Sequence, residues 1–237
     1  MKSGVIVMVK LKAFPGLALL LSALMLTEVS VCFGKGEILF KEDFRADQID
    51  ERVWVPGPTW EIVDEVLKTG AGGKDIGFTV RNDFTDFEFS ADFNIIAGCG
   101  IFVMRAKDHK NYYMHRINAG VGEILWQYLI AANWPFADPK PIESGLVPES
   151  EVWYRIKFIV EGKKFTCLMA KRGAELNEKK HLVGVWENNA FADRIGAIGF
   201  DGDSRYDNVL VTTIGYTQAV SPEGHLSTTW GKIRSGY

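Results

Sequence analysis

The sequence predicts an all-β protein, a two-sheet antiparallel sandwich behind a secretory leader. Three observations carry that expectation. After residue 34 no segment sustains a helical period, while alternation of apolar and polar residues recurs about every ten residues with Gly, Asn, Asp or Pro between. Phe87–Ile96 gives the clearest case, with Phe87, Phe89, Ala91, Phe93 and Ile95 on one face and Glu88, Ser90, Asp92 and Asn94 on the other. Finally, residues 194–211 read as two short strands joined by the polar turn Asp201–Ser204, and the remaining strands must pack against them.

Residues 1–34 read as a signal peptide. Lys2, Lys10 and Lys12 form a positive start, Ala13–Leu26 an apolar run and Cys32-Phe33-Gly34 a cleavage site. The run is too short for a comfortable membrane span, which disfavours an uncleaved anchor. Removing 34 of the 237 residues leaves 203, enough for one β-domain over 35–216, followed by a polar tail over 217–237. The leader's three lysines and Glu28 take +2 from a formal net charge of −3, so the mature chain stands at −5. A mildly acidic chain with no basic cluster is not expected to bind nucleic acid, or a membrane beyond the leader. Secretion or periplasmic export permits a disulfide between Cys99 and Cys167, and a buried free thiol at Cys167 is the alternative.

Taken in order, the strands are expected at 38–44, 60–63 and 66–68 (a hairpin about Asp64-Glu65), 77–81, 87–96, 100–106, 112–118 and 123–130. Residues 131–148 carry four prolines and Trp134 and read as a long excursion over the sheet. A hairpin follows over 152–171 about Glu161-Gly162, then an edge strand at 181–187 and the closing pair. In the last strand, strict alternation puts Asp207 on one face with Val209 and Val211. Such a carboxylate must bond amides, pair with a cation or hold a metal.

Several of these segments carry a resemblance. Gly196-x-Ile198-Gly199-Phe200, a polar turn, then Tyr206-Asp207-Asn208-Val209 is similar to the closing strands of concanavalin A-like jelly-roll domains. Upstream, Asp43-Phe44 followed by Trp54, Gly100-Ile101 through Arg105, and Tyr112-Tyr113-x-x-Arg116-Ile117 resemble the subgroup called 3-keto-disaccharide hydrolase, or family-16-glycosidase-like. Glu65 stands where that subgroup usually has glycine. Over residues 37–214 the resemblance implies a jelly-roll sandwich that acts on carbohydrate by hydrolysing 3-keto disaccharides or glycosides. The alternative is a non-catalytic, lectin-type glycan binder or surface-interaction module. The glucanase-like domains of this kind further imply a structural calcium, here on Asp43 and Asp207, and no other cofactor.

The chemistry in the residues themselves is sparse. A retaining glycosidase of the family-16 type needs two carboxyls about 5 Å apart, from Glu-x-Asp-x-Glu on one strand. The nearest run, Glu88 to Asp92, is broken by Ser90. No histidine shows metal-ligand spacing, and there is no nucleophile elbow or phosphate loop. What remains is a ligand face. If the middle strands form a concave sheet, Arg105, His115, Trp126, Tyr128 and Trp134 converge on a groove where aromatics stack on sugar rings and Arg and His bond hydroxyls. The competing reading places those same residues in the core and in cross-strand pairs.

Overall fold

A computed structural model describes residues 36–70 and 75–216; the expected leader and tail lie outside the described residues. Thirteen strands and one short helix are present among these residues. They are β1 (Ile38–Glu42), β2 (Trp54–Val55), β3 (Glu61–Val63), β4 (Val66–Thr69), β5 (Gly77–Thr79), β6 (Phe87–Asp108) and β7 (Asn111–Asn118). After them come β8 (Glu123–Ile130), β9 (Asn133–Pro141), β10 (Trp153–Glu161), β11 (Lys164–Lys171), α1 (Glu178–His181), β12 (Leu182–Glu187) and β13 (Ala197–Thr212). No helix among the described residues is long and apolar enough to cross a membrane.

Two long strands organise the sandwich. The first half of β6 pairs with β10 on one side and the second half of β13 on the other, and this layer continues through β11 to β12 and closes on β1. The second half of β6 pairs with β7 and the first half of β13, and this layer runs from β9 and β8 across to β5 and β2. Backbone ladders therefore link both layers into one folded sheet, where two separate sheets were expected. The expected pair of closing strands is likewise one continuous strand. Its polar stretch is a bend: Gly202 holds a left-handed φ of +90° and lies so close to β6 that a Cβ would stand 2.3 Å from the Cys99 carbonyl.

The inward faces of the two layers meet in a core rich in phenylalanine. Phe102 lies 5.4 Å from Phe158, Phe89 5.8 Å from Phe200, and Trp126 5.7 Å from Trp186, centroid to centroid. Such offset and edge contacts add to the transfer free energy of the rings themselves. The alternation of 87–95 is realised as expected, with Phe87, Phe89, Ala91, Phe93 and Ile95 all in this core.

Residues 131–148 depart from expectation. Their first part is β9, paired with β8 through a tight turn at Ala131-Ala132, both at positive φ. That backbone belongs to a type I′ hairpin, whose usual Asn-Gly signal is missing here. Pro135, Pro139 and Pro141 are accommodated because β9 pairs on one side only, and an edge strand tolerates absent amide donors.

Candidate functional site

The outward face of the β9-β8-β7-β6-β13 layer is concave and unusually apolar for a surface. Ile101 and Val103 of β6, Tyr112 and Met114 of β7, Leu129 of β8 and Ala197 of β13 form a second buried cluster there, joined by Ile76. Register explains the convergence. Met114 lies between Val103 and Gln127, and Arg116 between Ile101 and Leu125, so alternate residues of three adjacent strands share this face.

Above that floor lies a cavity of about 490 Å³, lined by Cys99, Ile101, Met114, Arg116, Gln127, Trp134 and Asp203 together with the bends at Ala97-Gly98 and Gly202. Trp134 forms one wall, 47% exposed and edge-on to Tyr112 at 6.0 Å. The polar lining is unspent: Arg116 Nε and Gln127 Oε1 are both buried without a hydrogen-bond partner among the described residues. Beside the floor, Asp201 is buried and its carboxyl is pushed up to about 6, chiefly by burial and further by the Asp75 charge, while the Gly202 amide it accepts pulls the other way. Burial also pushes Tyr112 up to about 12 and raises the Cys99 thiol.

Of the residues anticipated as ligand contacts, only Trp134 lines this cavity. His115 and Trp126 do share a face, but it is the interior one. His115 sits 4.5 Å from Trp126 and 5.2 Å from Phe158, burial holds it well below the usual histidine range, and neither ring nitrogen has a partner. Tyr128 is half-buried on the same side, stacked on Phe136 at 5.7 Å. Period two alone cannot tell which face of a strand is inside.

Arg105 moved for a different reason. It holds φ +51°, and the pairing of β6 with β7 shifts register just beyond it, so the side chain leaves the face of Ile101 and Val103. It is fully buried, donating to the carbonyls of Gly162 (2.7 Å) and Thr85 (2.8 Å) and pairing with Asp86. That is a strap between loops, and it corrects the ligand-contact expectation.

A second bulge turns Asp207, one of the two residues expected at a metal, to the outer face. Asn208 holds φ +50° and register shifts beyond Asp207, so Val209 and Val211 point inward while Asp207 points out. There it accepts from Arg172 at 2.8 Å and from the Asn208 amide at 2.7 Å. Asp43 pairs with Arg45 at 3.3 Å. No group of three or more His, Cys, Asp or Glu residues converges on a cation position among the described residues. Cys99 faces the cavity and Cys167 lies in the core, and both thiols are free.

Sequence reasoning missed Arg116, Gln127 and Asp203. Their signal was present for two of them: Met114-Arg116 and Gln127 alternate with His115 and Trp126, so choosing the aromatic face as the groove discarded its opposite.

No family model matches this sequence, and no curated protein does. Solved structures do resemble the fold. A carbohydrate-binding module, CBM66 from Bacillus subtilis, superposes with a TM-score of 0.50 at 19% identity, covering 68% of this chain and 91% of that one. A structure described under endo-acting O-glycanases of human gut microbiota that initiate mucin breakdown gives 0.51 at 9% identity, covering 76% and 100%. At such identities the likeness establishes the architecture, a concanavalin A-like β-sandwich.

Proposed function

We propose that this is an exported carbohydrate-binding protein whose ligand occupies the concave groove between Trp134 and Asp203. The observation that carries this reading is the groove's composition: an exposed tryptophan wall, an apolar floor and buried polar atoms with no partner among the described residues. Sugar rings present apolar faces to stack on indole and hydroxyls to satisfy such atoms. The binding-module and glycanase descriptions attached to similar folds support it, as does the signal-like leader for a secreted or periplasmic location.

A second reading, hydrolysis of glycosides or 3-keto disaccharides, is favoured by one feature. Asp201, with its raised pKa, gives the groove region an acid able to hold a proton, and the Asp203 side chain lines the same groove. A glycan array run beside an assay on 3-keto-glucosides, each with and without chelator, separates the readings. Binding without turnover, reduced about tenfold or more by Trp134→Ala, is the expected result. Turnover lost in Asp201→Asn would favour the hydrolase, and no glycan binding at all would sink the proposal.

A further inference from the structure

We infer that the groove selects an acidic sugar, one carrying a carboxylate or a sulfate, and that the Arg116 guanidinium is its counter-charge. The inference rests on the carbohydrate reading above and goes beyond it to the class of ligand.

The argument begins with the other arginines. The described residues include nine. Seven of them pair with a carboxylate: Arg45, Arg52, Arg81, Arg105, Arg155, Arg172 and Arg205. An eighth, Arg194, donates to the Asn189 side chain at 3.2 Å. Arg116 alone has neither a carboxylate partner nor a side-chain hydrogen bond among the described residues, and its Nε is buried with no acceptor. In a chain with more acids than bases, a half-buried guanidinium with no carboxylate paired to it among the described residues stands out. Register places it on the groove face, one strand from Gln127, whose own side chain is nine-tenths buried with Oε1 unmatched.

The chemistry of the ligand follows from what would happen on binding. A ring laid over Arg116 strips water from a full positive charge. A neutral sugar returns only dipoles for it, whereas a carboxylate or sulfate matches the planar donor fork with two charge-assisted bonds. The Asp203 side chain, on the β13 side of the groove, has no hydrogen-bond or ion-pair partner among the described residues either. It repels a bare anion but accepts a hydroxyl proton, so the ligand needs both features, acid group and hydroxyls.

Calorimetric titration of the full chain against matched pairs tests this. Oligogalacturonate is compared with its methyl ester, and a sulfated galactose oligomer with its unsulfated parent. One charged member is expected to bind at least about tenfold more tightly than its neutral twin, with the gap narrowing as salt rises. Whichever pair shows the gap identifies the anion as carboxylate or sulfate. Arg116→Gln should close the gap without lowering the melting temperature, and Arg116→Lys should keep part of it because charge survives without the fork. Equal binding of charged and neutral twins by the unaltered protein overturns the inference and leaves the carbohydrate reading standing. A preference that persists in Arg116→Gln overturns it too. Binding of no member, charged or neutral, counts against both.

Discussion

The two outward faces of this sandwich share the long strands β6 and β13, yet they handle polar groups in opposite ways. On the layer formed by β10, β11 and the halves of β6 and β13 beside them, side chains satisfy one another. Asp92, fully buried, accepts two hydrogen bonds from Arg155 (2.6 and 2.9 Å) and one from Asn208 (3.0 Å), and forms an ion pair with Arg172 at 3.0 Å. Lys157 meets Glu88 at 2.7 Å, Arg205 bridges Asn94 and Glu151, and Arg172 also covers the Trp153 ring. On the concave face of the other layer, Arg116, Gln127 and Asp203 are left unspent beside an exposed tryptophan. A face that completes its own bonds has a structural role. One that leaves them open at a hollow is fitted to something outside the chain.

The largest expected effect tests the satisfied face. Asp92→Ala would leave two arginines and Asn208 without their shared acceptor. Both arginines are about two-fifths exposed and can rehydrate, so the cost falls at the lower end for a broken buried pair, about 3 kcal/mol. Chemical denaturation measures it. A loss under about 1 kcal/mol would mean that the Asp92 network is ornamental and that the two faces differ less than their bonding suggests.

A smaller effect, one that depends on pH, belongs to the concave side. Asp201 titrates near 6 in the fold against 3.8 as its ordinary value. Between those values the native protein holds a proton that the unfolded chain has released. Stability is therefore favoured below about pH 4 and lost as pH rises through about 6, by on the order of 2–3 kcal/mol. Asp201→Asn keeps an acceptor for the Gly202 amide while removing the charge. The variant should gain on the parent as pH rises from 4 to 7, read as the difference between their urea midpoints. Parallel pH profiles would place the Asp201 carboxylate in water rather than against Asp75 and the groove floor.

How far these faces could be read from sequence depended on where alternation is unbroken. Residues 87–95 alternate cleanly, and both the core row and the outward row containing Asp92 were legible. Arg105 and Asp207 were not, because a bulge beside each turns the side chain to the other face, and nothing in the letters around them announces a positive φ on arginine or asparagine. The hairpin before β9 was hidden in the same way by alanines in a turn that usually asks for Asn-Gly. The groove failed for another reason. On β7 and β8 the pattern gave two coherent faces, and aromatic content favoured the one carrying His115 and Trp126. In a sandwich with a phenylalanine-rich core, the face richer in aromatics is the buried one. The open groove lies on the face of Met114, Arg116 and Gln127.

The smallest expected effect decides whether Trp134 belongs with the satisfied or the unspent groups. Nearly half of its surface is open, and among the described residues its one aromatic contact is with Tyr112, itself held by the apolar cluster of the floor. Replacing it with alanine uncovers a partly shielded site at the groove rim and leaves no internal cavity, so stability should fall by only about 1 kcal/mol. A fall no larger than that would assign any loss of glycan affinity in Trp134→Ala to a missing contact with the ligand. A fall comparable to that of Asp92→Ala would instead make Trp134 a strut of the β8-β9 hairpin, and the concave face would lose the wall that distinguishes it from its opposite.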